Sequence, residues 1–290
     1  MVCFIVLHYM VEKETIACVR NLQNLKGEKK IILVDNASPD HSGKRLKARY
    51  QRDPEIDVLL NDRNDGFARG NNLGCQWAKE QYEPDFYVVL NNDIEIRQKD
   101  FIQRIYKIWN RTHFDVLGPD VYSTTEKIHQ SPKSLDRMTL KKAKKIQYEC
   151  QKKMGSRVIV PLRCLIKQIR PLRILYNRIR RQDSGIDYRK PYQNVILHGS
   201  CMIFSGHFLE NRKEAFFPAT FMYFEPDILD YECRKEGFQE WYVPSLKVYH
   251  HQNVATKASY RNELQRVRFM NQQLYDSITA FLRAYEKSGD

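Results

Sequence analysis

The sequence predicts an α/β fold, a largely parallel sheet with helices on both faces, from three observations. Short apolar runs alternate with polar stretches of helical spacing through the first third of the chain. Each run is nearly unbroken, as strands buried on both faces are. Each ends in a cluster of Asp, Asn, Gly or Ser, the residues that turn a chain. With 290 residues and 42% hydrophobic content, such a core closes without staples. Seven cysteines, Cys3, Cys18, Cys75, Cys150, Cys164, Cys201 and Cys233, stand singly with no C-x-x-C pair. That pattern predicts reduced thiols in a cytoplasmic protein rather than a disulfide framework or a zinc site.

Residues 2–7 read as a buried strand; the run is too short for a signal peptide and lacks the basic flank. Residues 15–25 read as a helix with Ile16, Val19, Leu22 and Leu25 on one face. The run at 31–34 ends in Asp35-Asn36-Ala37-Ser38-Pro39-Asp40. A helix over 43–51 and a strand over 57–61 follow. Residues 61–74, NDRNDGFARGNNLG, read as a Gly/Asn loop, leading to a helix over 71–81 and a strand over 86–90. In open α/β sheets ligands bind past the carboxyl ends of the strands. The clusters at Asp35, Asn61 and Asn91 all fall at such ends, so they converge on one cleft.

Charge divides the chain. Residues 133–190 hold 18 Lys or Arg against 4 Asp or Glu, so this stretch carries the whole net charge of +13 and the rest is close to neutral. It reads as a basic, helical insertion. Over 158–181, Val, Ile and Leu interleave with Arg and Lys, broken by Pro161 and Pro171. That pattern fits either a solvated helical face or an amphipathic surface resting on an anionic membrane or holding an anionic acceptor. No run approaches the roughly 18 apolar residues of a membrane span, so membrane contact would be peripheral, at the inner face. The charge is confined to one segment with few aromatics and no nucleic-acid-binding motif, so no nucleic-acid partner is expected. Apolar runs resume at 195–197, 201–204, 240–243 and 246–249, and the tail over 260–287 reads as a helix. One domain over 1–290 is predicted.

Several residues carry chemistry. Asn91-Asn92-Asp93 closes the strand over 86–90, where a carboxylate suits a divalent cation, although such a triplet also makes a plain turn. His250 ends another strand and adds a metal ligand if it reaches the same cleft; otherwise it is structural. Glu225-Pro226-Asp227 and Asp230 follow the aromatic run Phe221-Met222-Tyr223-Phe224. One of these carboxylates, held near an acceptor hydroxyl, is a general base. The same residues also suit the first turn of a helix, where acids meet the dipole and Pro is tolerated. The Gly/Asn loop lets amides approach a diphosphate, but it matches neither a Walker P-loop nor G-x-G-x-x-G.

Together these motifs resemble the family 2 glycosyltransferases, whose GT-A fold is a Rossmann-like mixed sheet with helices on both faces. The strand ending in His8-Tyr9 is similar to the family's strand ending in Tyr-Asn, which places Tyr9 at the donor. ILVDNASPDHS at 32–42 resembles V-D-N-x-S-x-D-x-S and implies that Asp35 holds the nucleotide base or ribose. NDGFARGNNLG at 64–74 is similar to the N-x-G-F-A-x-G-N-N-x-G loop of the rhamnosyltransferase-like branch, implying donor contacts from Asn64, Gly66, Phe67, Gly70 and Asn71. LNNDIEI at 90–96 resembles the D-x-D metal motif in an N-N-D variant, implying Mg²⁺ or Mn²⁺ on Asp93 and a donor contact from Asn92. HGSCMIFS at 198–205 resembles the strand lining the acceptor side, here His198, Gly199 and Ser200. Residues 244–250 resemble the P-x-x-x-V-x-H segment whose histidine, here His250, completes the metal site in some members.

The resemblance covers about 2–130 and 194–251; the basic insertion and the C-terminal helix fall outside it. One departure concerns the base. Counting back 11 residues from Gly237, where many members place it, lands on Pro226. The usual E-E or E-D pair is therefore E-P-D, and the base is Glu225, at the first acidic position, or Asp227. The resemblance implies an inverting, metal-dependent transfer of a sugar, rhamnose favoured, from dTDP-rhamnose or a UDP-sugar. The acceptor it implies is a hydroxyl of a growing, lipid-linked cell-surface polysaccharide. Three rivals stand beside it: a transferase degenerate at Asn91 and Pro226, a nucleotidyltransferase, and a non-enzymatic basic module acting through 133–190. The second normally needs a basic N-terminal loop that does not follow Leu7.

Overall fold

A computed structural model describes residues 1–155, 185–251 and 263–286. The basic run over 158–181, with Arg170, Arg173, Arg178, Arg180 and Arg181, lies outside them, as does Cys164. The other six cysteines are buried and free.

The first part alternates strand and helix: β1 (Val2–His8), α1 (Glu12–Gln23), β2 (Lys29–Asp35), α2 (Ser42–Tyr50), β3 (Ile56–Leu60), α3 (Gly66–Tyr82) and β4 (Phe86–Asn91). The strands lie in the order β3, β2, β1, β4, all parallel. Their side chains alternate between faces, and both faces are covered, so the middle residues of β1, β2 and β4 are apolar throughout. Val2, Phe4 and Val6 enter one core with Cys18, Val19 and Leu22 of α1. Cys3 and Ile5 enter the other, under Ala68, Cys75 and Ala78 of α3.

Beyond β4 the topology changes. β5 (Ile94–Glu95), α4 (Phe101–Thr112), β6 (Val116–Ser123), β7 (Ile128–His129), α5 (Leu140–Gly155) and β8 (Tyr192–Gln193) lead to β9 (Cys201–Ser205). α6 (Gly206–Glu210), α7 (Glu225–Glu236), β10 (Glu240–His250) and α8 (Glu263–Tyr285) complete the described residues. β9 runs antiparallel between β4 and β6, and β10 lies parallel to β6 on its other side, with β5 antiparallel beyond. The sheet is therefore mixed. Met138 and Ala143 meet Ile278 and Phe281 of α8 and Ile228 and Tyr231 of α7 in a third, smaller core.

Three expectations are corrected. The predicted Gly/Asn loop becomes helix at Gly66, five residues before the predicted start, because its later glycines serve close packing rather than turning. A Cβ on Gly70 would sit 2.6 Å from Leu7 Cδ1, and one on Gly74 2.5 Å from Ile5 Cγ2. Residues 195–197 are buried but not a strand; a single bridge joins Ile196 to Ser134. The runs at 240–243 and 246–249 are one strand, β10, whose register against β6 shifts between Val243 and Lys247. Pro244, which has no N–H to give a ladder, sits inside that irregularity.

Candidate functional site

The site forms where β1, β2, β4 and β10 end. Asp35 closes β2, buried, and accepts hydrogen bonds from Ser38 Oγ at 2.5 Å and the Ser38 amide at 3.3 Å. The carboxylate lies so close to α2 that a Cβ on Gly43 would fall 1.9 Å from Asp35 Oδ2. His8 closes β1, fully buried, and shares hydrogen bonds with Thr15 Oγ1 at 2.7 Å and Ser42 Oγ at 2.8 Å. Burial holds its pKa below the ordinary histidine value despite Asp35 nearby, so it braces the two strand ends as a neutral ring. Tyr9 follows, half-buried, next to Met10, whose amide donates to Ser38 Oγ at 2.9 Å.

Asn36 joins β2 to the start of α3. Its amide donates to Asn64 Oδ1 at 2.9 Å and to the Gly66 carbonyl at 3.0 Å, while Asn36 Oδ1 accepts from Asn61 and from the Asp65 amide. Gly66 has φ +78°, and a Cβ there would lie 2.1 Å from the Phe221 carbonyl. Phe67 donates its amide to that carbonyl at 2.6 Å and meets Phe216 edge-on at 5.2 Å. Gly70 and Asn71 are buried, and Asn71 Nδ2 donates to the Phe67 carbonyl at 2.9 Å. Asn72, not singled out from the sequence, grips the Phe216 backbone twice, at 2.7 and 2.9 Å. These residues thus clamp α3 to the segment that leads into α7.

Asn92 and Asp93 form the turn between β4 and β5. Asn92 Nδ2 donates to Thr15 Oγ1 at 2.9 Å, tying the turn to α1. Asp93 Oδ1 is buried without a hydrogen-bond partner, and His250 Nε2 lies 3.2 Å from it. Gln130 Oε1 faces His250 Nδ1 at 2.8 Å; with that oxygen accepting, Nδ1 carries the proton and Nε2 the lone pair. Two lone-pair atoms then face each other at the strand ends. A divalent cation resolves that contact, and a carboxylate with an imidazole suits Mn²⁺ or Mg²⁺ completed by diphosphate oxygens. Among the described residues no group of three or more His, Cys, Asp or Glu could hold a metal, so the protein would offer two ligands.

The acidic motif starts α7. Tyr223 and Phe224 have φ of +70° and +76°, turning the chain sharply so that Glu225 opens the helix. Glu225 is buried; burial, opposed in part by a hydrogen bond from Thr220, pushes its pKa up to about 7. Its Oε1 has no hydrogen-bond partner. Asp227, also buried, forms an ion pair with Lys133. His198 lies close by, its ring 5.9 Å from that of His250 and its Nδ1 2.8 Å from Ser200 Oγ. Burial, with smaller effects from His250 and Lys133, lowers its pKa to about 3, so it is neutral. A Cβ on Gly199 would lie 3.1 Å from Pro226 Cγ, so the acceptor-side segment packs directly on α7.

The structure therefore brings Asp93, His250 and His198 together, while Glu225 and Asp227 flank Pro226, which packs on Gly199 beside His198. Tyr9, Asp35, Asn64 and Asn92 sit around the β1 and β2 ends, whereas Gly66, Phe67, Gly70 and Asn71 face inward as packing. Sequence reasoning missed Lys133, Gln130 and Thr15. Lys133 was visible only as one cation in a basic run. A separate cleft of about 570 Å³, lined by Asp120, His129, Tyr188 and Lys247 among others, contains none of these residues.

Comparison with known proteins adds the lineage. The model described as Glycosyl transferase family 2 matches residues 3–229. The low-salt glycan biosynthesis hexosyltransferase Agl10 of Haloferax volcanii is 26% identical over 118 residues, 40% of this chain and 35% of that protein. The curated relatives are matched over only 35% and 38% of their own lengths. Residues 1–349 of S. aureus TarS, solved with UDP-GlcNAc, align with a TM-score of 0.55 at 13% identity, covering 99% of this chain and 74% of that one. The Pyrobaculum calidifontis mannosyltransferase PcManGT, solved with GDP-Man and Mn²⁺, gives 0.53 at 12% identity, covering 100% and 76%. At such identities the likeness shows the fold, which is GT-A.

Proposed function

Because the chain belongs to glycosyl transferase family 2, we propose that it moves a sugar from a nucleotide-diphosphate donor to an acceptor hydroxyl with inversion. The observation that carries this reading is Glu225: buried, with an unpartnered Oε1 and a pKa near 7. A general base works best when its pKa lies near the operating pH. Asp227, the other candidate, is already engaged in an ion pair with Lys133. Glu225 takes the hydroxyl proton while the acceptor oxygen attacks the anomeric carbon, and the bond from that carbon to the diphosphate breaks on the opposite face. His198, Gly199 and Ser200 line the acceptor side.

Asp93 and His250 would hold Mg²⁺ or Mn²⁺, which neutralises charge gathering on the departing diphosphate. Asp35, with Tyr9, Asn64 and Asn92 around it, takes the nucleotide. Gly66, Phe67, Gly70 and Asn71 support that pocket from behind. The motif at 64–74 favours dTDP-rhamnose, with UDP-sugars next. The acceptor is a lipid-linked saccharide of a cell-surface polysaccharide, and the basic stretch 133–190 holds the protein peripherally at the inner membrane face. Among the described residues no helix is long and apolar enough to cross a membrane.

The test is thermal stability against dTDP, UDP, GDP and CDP, each with Mn²⁺ or EDTA. A nucleotide at about 100 times its Kd adds about 2.7 kcal/mol. A metal-dependent shift with one nucleotide supports the reading and names the donor class; no shift with any removes it. For the membrane, neutralising Arg170, Arg173, Arg178, Arg180 and Arg181 should weaken binding to anionic vesicles, and unchanged binding would discard that part.

A further inference from the structure

α7 carries five carboxylates, and four of them meet a cation. Asp227 pairs with Lys133, Asp230 with Arg137 at 2.7 Å, and Glu232 and Glu236 with Arg212 at 2.7 and 3.4 Å. Of the five, Glu225 alone has no cation among the described residues within ion-pair reach, though it is as buried as the rest of the turn. The two cations at the front of the helix come from one short stretch. Its backbone is fixed: the Lys133 amide donates to the Ile196 carbonyl at 2.7 Å, and Ser134 bridges Ile196. Met138 donates its amide to Asp230 at 2.6 Å at the other end. Backbone pairing thus fixes where Lys133 stands, and its half-exposed side chain reaches from there to the buried Asp227 carboxylate.

We infer that Lys133 is a positioning residue that selects Glu225 over Asp227 as the proton acceptor by holding Asp227 in a standing ion pair. The inference rests on the transferase reading for its catalytic meaning. Its physical basis is that two carboxylates two residues apart on a buried turn cannot both stay ionised without a neighbouring cation. The groups facing this turn are few. Lys133 reaches it from the stretch after β7, His198 from the segment before β9, and the Thr220 hydroxyl from the segment before α7. Arg137 is engaged one turn further on, with Asp230 and with Glu240 at 3.4 Å. His198 is held neutral, so Lys133 supplies the cation. Without it, Asp227 would stand as a second buried carboxylate with no cation, and the turn would hold two competing acceptors.

The test compares wild type, K133M, K133R, E225Q and the K133M/E225Q double variant. The first readout, independent of turnover, is the melting midpoint across pH 4–8. The inference expects E225Q to remove Glu225's own fall in stability between pH 4.5 and 7, read as the difference from wild type, in which the shifts of His8, His198, Glu236 and Glu240 cancel. In the K133M background a fall beyond that of E225Q alone should remain after E225Q, because Asp227 has lost its cation. The second readout is the acid limb of kcat/KM with the donor found above, expected to move up by about one to three pH units in K133M and to return in K133R. If E225Q flattens the stability profile equally in both backgrounds, or K133M leaves the acid limb in place, the inference is overturned. A wild type with the expected stability profile but no nucleotide shift removes the transferase reading and leaves the carboxylate assignment standing.

Discussion

The two sides of the sheet treat their polar groups differently. Around the ends of β1 and β2, polar side chains are consumed internally: Asp35 by Ser38, His8 by two hydroxyls, Asn36 by four neighbours. Asn71 Oδ1, inside α3, is the exception. Across the sheet, where β5, β10 and α7 meet, Asp93 Oδ1 and Glu225 Oε1 are left without partners, as are Glu240 Oε1 and Trp241 Nε1 near the start of β10. A buried polar atom without a partner costs about 1–3 kcal/mol. On the proposed reading, Asp93 and Glu225 are the two such groups that a bound cation and an incoming proton would satisfy.

Substitutions can break this division, starting with the largest effect. E225Q should lower kcat by about 10²–10⁴-fold while leaving the nucleotide-induced melting shift in place. A loss of the shift as well would mean that Glu225 belongs to the donor wall. The same variant tests the cost directly. Between pH 4.5 and 7 the unfolded chain ionises Glu225 while the folded protein keeps it protonated, so stability falls as pH rises through that window, by at most about 3 kcal/mol. His8 and His198, held below the ordinary histidine value, act in the opposite sense, and Glu236 and Glu240 in the same sense, so the Glu225 part is read as the wild-type minus E225Q difference in denaturant midpoints from pH 4 to 8, which should fall across the window. D93N and H250A should each abolish the Mn²⁺-dependent part of nucleotide stabilisation, out of a total of about 2.7 kcal/mol at about 100 times the Kd, in the same melting assay. S38A, on the other side, should cost only about 1 kcal/mol of stability by urea titration and weaken nucleotide binding without moving the acid limb of kcat/KM.

How much of this was legible in the sequence depended on the physical signal. β1, β2 and β4 were readable because burial on both faces demands an unbroken apolar run, and Asp35 and Asp93 because each terminates one. The start of α3 was not. Gly70 and Gly74 have the composition of a loop, yet they are glycines because Leu7 and Ile5 leave no room for a Cβ. Residues 195–197 look like a strand because they are apolar, but they are apolar for packing, and only Ile196 makes a bridge. α4 and β6 went unread between motifs that drew attention first. At the site, the choice between Glu225 and Asp227 stayed open because it turns on Lys133, 94 residues away along the chain from Asp227. In a segment of 18 basic residues, nothing local marks the one that reaches a carboxylate.

The place of β9 has a consequence for how the protein is made. It pairs with β4 from Phe86↔Ser205 to Leu90↔Cys201 and with β6 at Val116 and Leu117, joining strands that are synthesised long before it. Until residue 205 has left the ribosome, β4 is an open edge with Val88 and Val89 exposed to any passing strand. The first four strands can pair as soon as they emerge, but the two rows of polar groups that make up the site have no common frame until this late strand slots between them. A nascent chain stalled between β8 and β9 should therefore be the form most prone to aggregate and most dependent on a chaperone.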